Sequence, residues 1–309
     1  MTLISVITPS YNQAAFLRQT LRSVLDQDYA EVEYVVVDGG SADESLGIIM
    51  EHAGRLAWWV SEPDAGQADA INKGLAHVHG EIVAWLNSDD QYLPGTLTAV
   101  AHAFEDNPDV ALVYGNMQAV DETGAMTNTL TYKQLSLEDL LCFQIIGQPA
   151  AFMKRTAVAA VGGLDTDFHL LLDHQLWIRL ARFGRILHVD QTWAAARYHA
   201  SAKNRARAVE FGKEAFRILE WAAQEPGLAA VLERVSRRAR AAAHRVDARY
   251  LVDGDHPAAA LRAWLRALRL HPPTALSRPN LLASALLELL GLGAIRKGLI
   301  QERRERLSR

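Results

Sequence analysis

Short apolar runs alternate with segments of helical periodicity over the first 110 residues, and this alternation limits the fold more than any other feature. The apolar runs occupy Ile4–Thr8, Tyr34–Val37, Leu56–Val60 and Ile82–Leu86. Each is followed by a segment with the spacing or the capping residues of a helix. After the second run, Ser41 with Glu44 three residues later predicts a capping box that opens the next helix. Strands and helices that alternate in this way predict a mostly parallel sheet with right-handed crossovers.

The pattern becomes less regular after Val110. Shorter candidate strands at Ala111–Tyr114 and Ala150–Met153 extend the parallel sheet into a mixed one. Beyond about residue 205, almost every segment has the periodicity of a helix. We therefore predict an α/β domain over residues 1–205, with helices flanking its sheet, and an all-helical region over residues 206–309.

The helical region has two features of its own. Residues Ala241–Leu270 predict a helical pair whose spacings resemble one tetratricopeptide unit, and a single unit must pack on neighbouring helices to bury its apolar face. The segment 280–297 is apolar up to Ile295 and then basic, with Arg303 and Arg304 further on. Two interpretations of this segment stay open, a buried terminal helix and a helix that lies on an anionic membrane surface.

Charge is divided unevenly between the two regions. Residues 1–204 hold 12 Lys and Arg against 25 Asp and Glu, whereas residues 205–309 hold 20 against 11. An acidic front region repels nucleic acid, so no nucleic-acid partner is expected. The single cysteine, Cys142, excludes an internal disulfide and suits a reducing cytoplasm. Because no basic signal-peptide region and no long apolar stretch is evident, we expect a cytoplasmic protein.

Polar residues follow three of the predicted strands, at the edge where open α/β sheets bind ligands. The first strand leads into Pro9–Asn12, the second ends at Asp38, and the fourth ends at Asn87–Asp90. The adjacent carboxylates of Asp89 and Asp90 repel each other, and a divalent cation that bridges to phosphates would compensate their charge. A solvated acidic turn is the alternative for such a pair in isolation. Because these strand ends converge on one crevice in this topology, we predict a ligand site there.

Four sequence motifs strengthen this prediction. They are SVITPSYN (5–12), VDGGSAD (37–43), DAGQADAINKG (64–74) and NSDD (87–90). Together, in this order, they strongly resemble the family 2 glycosyltransferases. The resemblance continues through Gly147–Ala150, Gly162–Asp165 and Asp173–Arg179 and covers about the first 200 residues. It implies the GT-A fold, a nucleotide-sugar donor, a divalent metal and inversion at the anomeric carbon.

The resemblance also implies roles for individual residues. Pro9 and Tyr11 of the first motif would bind the donor, and Tyr11 would stack on the nucleotide base, although core packing of this ring is an equal alternative. Asp38 would bind the nucleoside, and Asp89 and Asp90 would bind the metal, Mn or Mg. The other candidates for donor binding are Gln67, Asn72, Lys73, Asn87 and Ser88.

Two positions depart from the family pattern. Asn87 replaces the first acid of the DxD-like motif and adds no charge to a metal, and whether Asp89 or Asp90 is the inner ligand stays open. The resemblance implies Asp173 as the catalytic base, and the apolar helical face that follows it would hold it rigidly. The second acid that the family usually has near its base is missing here.

His199 is either a third metal or phosphate contact or a structural histidine.

The predicted function is transfer of a sugar from a nucleotide sugar, most commonly a UDP-sugar in this family, with inversion. The acceptor would be a glycan or a lipid-linked saccharide in bacterial cell-surface polysaccharide biosynthesis. Peripheral contact with the inner face of the plasma membrane would go through the basic C-terminal region. Two alternatives are a sugar nucleotidyltransferase, which normally has a basic glycine-rich phosphate loop, and a non-catalytic scaffold that acts through its helical tail.

Overall fold

The computed structural model describes residues 1–199, 207–293 and 298. Contacts between Cα atoms divide the chain into two compact units. The first unit contains Met1–Gly124, Asn128–Leu135 and Ile146–Arg197, and the second contains Ala125–Thr127, Ser136–Ile145 and Tyr198–Arg309. The predicted domain boundary near residue 205 lies outside the described residues and stays a prediction.

One mixed sheet forms the centre of the first unit. Its strands are β1 (Ile4–Ser10), β2 (Val32–Asp38), β3 (Trp58–Ser61), β4 (Ile82–Trp85), β5 (Gln91–Tyr92), β6 (Val110–Val120), β7 (Met126–Leu130), β8 (Ala151–Lys154) and β9 (Arg185–Arg197). Their spatial order is β3-β2-β1-β4-β8-β6-β9-β5, with β7 paired to β6. The pairs among β1 to β4 and the pair β6–β9 are parallel, whereas β8 and β5 run antiparallel to their partners. The predicted mixed α/β sheet is confirmed.

Helices cover this sheet because their apolar residues recur on one face. The first seven helices of the chain are α1 (Ala14–Leu25), α2 (Ser45–His52), α3 (Gln67–Leu75), α4 (Thr96–Glu105), α5 (Leu137–Leu141), α6 (Arg155–Ala160) and α7 (Leu172–Phe183). All but α5 belong to the first unit. On α1, for example, Leu17, Leu21 and Val24 are fully buried in the core of the sheet, and each such burial stabilises the fold by about 1.5–3 kcal/mol.

Apart from Ala125–Thr127, which overlaps β7, the described part of the second unit is mainly helical. Its helices are α5 and α8 (Phe211–Gln224), α9 (Ala229–Asp253), α10 (Pro257–Leu270), α11 (Pro272–Leu276) and α12 (Pro279–Leu289). Small residues of α9 and α10 pack around Trp264 and let the two helices approach closely. Helix α12 covers much of the predicted segment 280–297, whose last residues, 294–297, lie outside the described residues. None of the helices in the described ranges is long and apolar enough to cross a membrane.

Candidate active site

The loops that follow β1 and β2 are joined by hydrogen bonds. The Asn12 N–H donates to Ser41 Oγ, and Asn12 Oδ1 accepts from the Ala42 N–H, each at 2.8 Å. Asp43 Oδ2 accepts from the Ala14 N–H at 2.9 Å, where α1 begins. Asn12 has a φ of 52°, a left-handed conformation that asparagine tolerates better than most residues. These bonds hold the two strand ends at a fixed separation.

Asp38, the last residue of β2, is fully buried. Its Oδ2 accepts from the Ser41 N–H at 2.9 Å and from Ser61 Oγ at 2.7 Å, and its Oδ1 accepts from Ser41 Oγ at 2.5 Å. The sequence favoured Ser41 as the start of a capping box with Glu44, and this expectation is wrong. Helix α2 begins at Ser45 without a side-chain cap in the described structure, because the Ser41 hydroxyl is bound to Asp38.

The residues at the end of β1 differ sharply in exposure. Pro9 is buried in the strand and pairs with Val37 of β2. Tyr11 is 62% exposed, so core packing of this ring, the alternative to base stacking, is wrong. Between them, Ser10 Oγ is buried without a hydrogen-bond partner among the described residues.

The amide of Asn87 is the centre of a hydrogen-bond network just beyond β4. Asn87 Oδ1 accepts from Gln67 Nε2 at 2.7 Å. Asn87 Nδ2 donates to Asp90 Oδ2 at 3.2 Å and to Gln148 Oε1 at 3.1 Å. Gln148 Nε2 in turn donates to the carbonyl oxygen of Trp85 at 2.7 Å. The side chain at position 87 must therefore offer both a donor and an acceptor, which an amide does and a carboxylate does not.

Asp90 is buried, whereas Asp89 is partly exposed. Asp90 Oδ1 accepts from the Arg197 N–H at 2.9 Å, and its Oδ2 accepts from Asn87. Burial and the neighbouring charge of Asp89 raise the pKa of the Asp90 carboxyl well above its usual range, against the opposing effect of these hydrogen bonds and of the Arg197 charge. Ser88, the residue before the pair, is also buried. The two acids are thus in different environments.

Arg197, the last residue of β9, also contacts the turn at residues 87–90. Its Nε donates to the carbonyl oxygen of Asp89 at 3.2 Å, and its guanidinium lies 4.9 Å from the centre of the Phe16 ring. Its Nη1 donates at 3.0 Å to the carbonyl oxygens of Asp121 and Glu122. Neither Arg197 nor Gln148 was among the predicted site residues. The motif GQPA at 147–150 was a signal for Gln148, but no local pattern pairs Arg197 with a turn about 107 residues earlier in the chain.

The candidates on α3 are bound to other parts of the first unit. Asn72 Nδ2 donates to the Leu164 carbonyl oxygen at 2.8 Å, and Asn72 Oδ1 accepts from the Leu164 N–H at 2.9 Å. Lys73 Nζ forms ion pairs with Glu62 at 3.1 Å and with Asp69 at 3.6 Å. Gln67 alone of the three contacts the network around Asn87. Asn72 and Lys73 are therefore occupied by structural contacts.

Asp173 lies in the first turn of α7 and is partly exposed. Its Oδ1 accepts from the N–H of His174 at 2.8 Å. One turn later, the Trp177 ring stacks on Trp85 of β4 with centroids 5.4 Å apart, and both rings are buried. Such a stacked pair adds about 0.5–1.5 kcal/mol to the burial itself. The stacking fixes the helix of Asp173 to the strand that leads into Asn87.

The remaining candidate, His199, belongs to the second unit and is buried. In the described ranges, no three His, Cys, Asp or Glu side chains come together as a metal-binding cluster. A metal at Asp89 would therefore need ligands from a bound molecule or from water, as Mg²⁺ usually does when it binds through one or two carboxylates and substrate phosphates.

The chain resembles known glycosyltransferases in sequence. The profile of glycosyl transferase family 2 matches residues 5–160. An uncharacterised glycosyltransferase of Mycobacterium tuberculosis is 32% identical over 181 residues, which cover 58% of this chain and 68% of that protein. The O-antigen biosynthesis protein RfbC of Myxococcus xanthus is 31% identical over 206 residues, which cover 65% of this chain and 16% of that protein.

Two solved structures share the fold. The mannosyltransferase PcManGT from Pyrobaculum calidifontis, in complex with GDP-Man and Mn²⁺, is 21% identical with a TM-score of 0.64, and the match covers 94% of this chain and 87% of that one. TarS 1-349 of S. aureus, in complex with UDP-GlcNAc, is 17% identical with a TM-score of 0.59, and the match covers 97% and 92%. Together with the sequence matches and the sheet order, this shows that the chain has the GT-A fold and belongs to glycosyl transferase family 2.

Proposed function

We propose that this glycosyltransferase is metal-dependent and inverting, and that it transfers a sugar from a nucleotide sugar to a glycan or a lipid-linked saccharide. The observation that carries the proposal is the placement of Asp38 and the turn 87–90 at the same edge of the sheet, beyond β2 and β4, which both pair with β1 in parallel. Ligands of open α/β sheets bind at this edge. The relative named for O-antigen biosynthesis supports a role in bacterial cell-surface polysaccharide synthesis, at the cytoplasmic face of the membrane.

The donor would lie across the ends of β1 and β2. Tyr11, exposed two residues after the buried Pro9, would stack on the base. Asp38 would accept a hydrogen bond from the nucleoside through a remaining lone pair. Gln67 and Asn87 would contact the ribose or diphosphate, with Ser88 as a neighbour. The solved structures contain UDP-GlcNAc, UDP or GDP-Man, which supports a nucleotide sugar, and UDP-sugars are the first donors to test.

Asp89 would be the direct metal ligand. It is partly exposed, whereas Asp90 is buried with both oxygens accepting hydrogen bonds from the protein, so Asp90 would hold the turn. A neutral amide at position 87 leaves few charges for the cation, and the diphosphate of the donor would supply further oxygens. When bound, a divalent cation neutralises charge that develops on the leaving nucleoside diphosphate.

Asp173 would act as the base. In a single displacement, the acceptor oxygen forms a bond to the anomeric carbon while the bond from that carbon to the diphosphate oxygen breaks. The proton of the acceptor hydroxyl passes to the Asp173 carboxylate, and the nucleoside diphosphate leaves with the electron pair. A positioned base of this kind contributes about 10²–10⁴-fold to the rate. The stacking of Trp177 on Trp85 would keep the carboxylate in place.

The proposal is tested with Asp173→Asn, with Asp106→Asn, an exposed position on the first unit, as a matched control. We expect Asp173→Asn to retain UDP or GDP binding in calorimetry and to lose about 10²–10⁴-fold in transfer, while the control retains both. Normal turnover by Asp173→Asn would refute the base assignment. Failure of Mn²⁺ to strengthen binding of any nucleoside diphosphate would favour the scaffold alternative, and pyrophosphate release from a sugar phosphate and a nucleoside triphosphate would identify a nucleotidyltransferase.

A further inference from the structure

Three arginines of the second unit lie together where α9 meets α11. Arg245 and Arg249 are one turn apart on α9, so their side chains share a face of the helix. Arg245 Nη1 donates to Ser277 Oγ at 3.2 Å, and Arg278 is the next residue in the chain. Arg245, Arg249 and Arg278 are called the arginine cluster below.

Arg278 is exposed, and Arg245 is a partly buried member of the cluster. Besides Ser277, its hydrogen-bond partner in the described part of the chain is the carbonyl oxygen of Phe143, at 3.1 Å from Nη2. Burial and the charges of Arg278 and Arg249 lower the pKa of Arg245 to about 10. No carboxylate among the described residues pairs with Arg245. A partly buried guanidinium with neutral partners and cationic neighbours is unfavourable by itself.

An anion would complete this arrangement. The guanidinium has five N–H donors in a planar fork, and Arg245 donates from its two terminal nitrogens to Phe143 and Ser277, which leaves further N–H groups. Phosphate oxygens match the fork geometry of arginine and bind it with charge-assisted hydrogen bonds. The cluster therefore has the chemistry of a phosphate-binding site.

Exposed leucines flank Arg278 in the sequence, and they indicate the class of phosphate compound that the cluster binds. Leu276, which precedes Ser277, is 55% exposed. On α12 and directly after it, Leu286, Leu289 and Leu290 are 41%, 45% and 71% exposed. At 100° per residue these three fall on one side of the helix. An exposed apolar face on the helix that follows Arg278 suits a membrane interface, where apolar side chains enter the acyl region and cationic heads stay at the level of the phosphates.

We propose that the arginine cluster binds the phosphate of an anionic phospholipid headgroup while the leucines of α12 lie at the acyl boundary. The charge of the chain is complementary, since residues 205–309 hold 20 Lys and Arg against 11 Asp and Glu. The sequence placed membrane contact in the segment 280–297 and the basic residues around it; the proposal adds a specific site on α9 and α11. It does not depend on the transfer reaction.

The full chain is tested by co-sedimentation with vesicles of phosphatidylcholine alone and with added phosphatidylglycerol, and by titration with inorganic phosphate. The test variant is Arg249→Gln with Arg278→Gln, which leaves the partly buried Arg245 in place. The control is Arg237→Gln with Arg240→Gln, which removes the same charge from exposed positions elsewhere on α9. A third variant, Leu286→Ser with Leu290→Ser, removes apolar surface without changing the charge. Circular dichroism checks that each variant is folded.

We expect the anionic lipid to increase binding, and the test variant to lose about five-fold for each arginine removed, while the control loses at most about two-fold. The leucine variant should lose vesicle binding and retain phosphate binding. Equal losses in the two arginine variants would show a diffuse electrostatic effect and overturn the site. Binding of inorganic phosphate without binding to vesicles would overturn the lipid as its occupant.

Discussion

The substitution Asn87→Asp separates the local sequence pattern from the tertiary structure. The family pattern has an acid at this position, so the motif alone predicts that aspartate is harmless or improves metal binding. In the structure, Asn87 Nδ2 donates to Asp90 Oδ2 at 3.2 Å and to Gln148 Oε1 at 3.1 Å. Aspartate would lose both donors and would place a second carboxylate against the buried Asp90. We therefore expect the substitution to destabilise the first unit.

The magnitude follows from these contacts. Two hydrogen bonds contribute about 0.5–1.5 kcal/mol each. Two like charges about 4 Å apart repel by about 4 kcal/mol at an effective dielectric constant of 20. Protonation of either the introduced carboxyl or the carboxyl of Asp90 relieves the repulsion, because one acid can then donate to the other. The expected loss in the free energy of unfolding is about 2–4 kcal/mol at pH 8, limited by this protonation.

The loss of stability in Asn87→Asp should increase with pH. The pKa of Asp90 is already raised by burial and by Asp89, and a carboxylate at position 87 raises it further. The folded variant then binds more protons than the unfolded chain, so its stability falls as pH rises. The deficit relative to the natural protein should be smaller at pH 5.5 than at pH 8.

Urea denaturation followed by tryptophan fluorescence at both pH values measures this deficit. The control is Asn87→Ala, which removes the same two donors and also the acceptor for Gln67 Nε2 without adding a charge, and its deficit should change less with pH than that of Asn87→Asp. If Asn87→Asp is as stable as the natural protein at pH 8, or if its deficit equals that of Asn87→Ala at both pH values, the reasoning about Asp90 is wrong.

Two further predictions concern the opposite end of the parallel strands. Glu33 accepts hydrogen bonds from the N–H groups of His79 and Gly80. Burial acts to raise the pKa of Glu33, but its hydrogen bonds, led by the one from His79, outweigh burial, so the pKa is lowered. Glu33 thus stabilises the fold above its unfolded pKa of about 4.3, and this stabilisation is lost as pH falls through the lower folded pKa. The urea midpoint of Glu33→Gln should therefore change less below pH 5 than the midpoint of the natural protein. Parallel curves of urea midpoint against pH for the two proteins would contradict this prediction. In Gly80→Ala the new Cβ would lie 2.7 Å from the Leu3 carbonyl oxygen, so the substitution should lower the free energy of unfolding by about 1–3 kcal/mol. The control Gly47→Ala on α2 meets open space and should raise the free energy of unfolding by about 0.5–1 kcal/mol. Equal thermal midpoints of the two variants would refute the packing argument.

Much of the fold could be predicted because it depends on local periodicity. The apolar runs at Ile4–Thr8 and Ile82–Leu86 became β1 and β4 with end points shifted by one or two residues. The helix predicted after β1 is α1. Helix capping was less predictable, because in the folded chain the Ser41 hydroxyl donates to Asp38 and accepts from the Asn12 N–H instead of accepting from an N–H of the next helix. Local spacing shows which hydrogen bonds a side chain can form, and tertiary packing determines which of these hydrogen bonds form.

The sequence by itself determined that polar residues follow the strands β1, β2 and β4, and that parallel strands bring Asp38 and the turn 87–90 to one edge of a sheet. Only the tertiary structure decided which acid of that turn is buried, since Asp90 is held by Arg197, about 107 residues further along the chain. It likewise showed Asn72 bound to Leu164, about 92 residues away. The periodicity of a sequence shows which side chains of a strand or helix are buried. Hydrogen-bond partners instead depend on which distant segments packing brings within about 3 Å of each other.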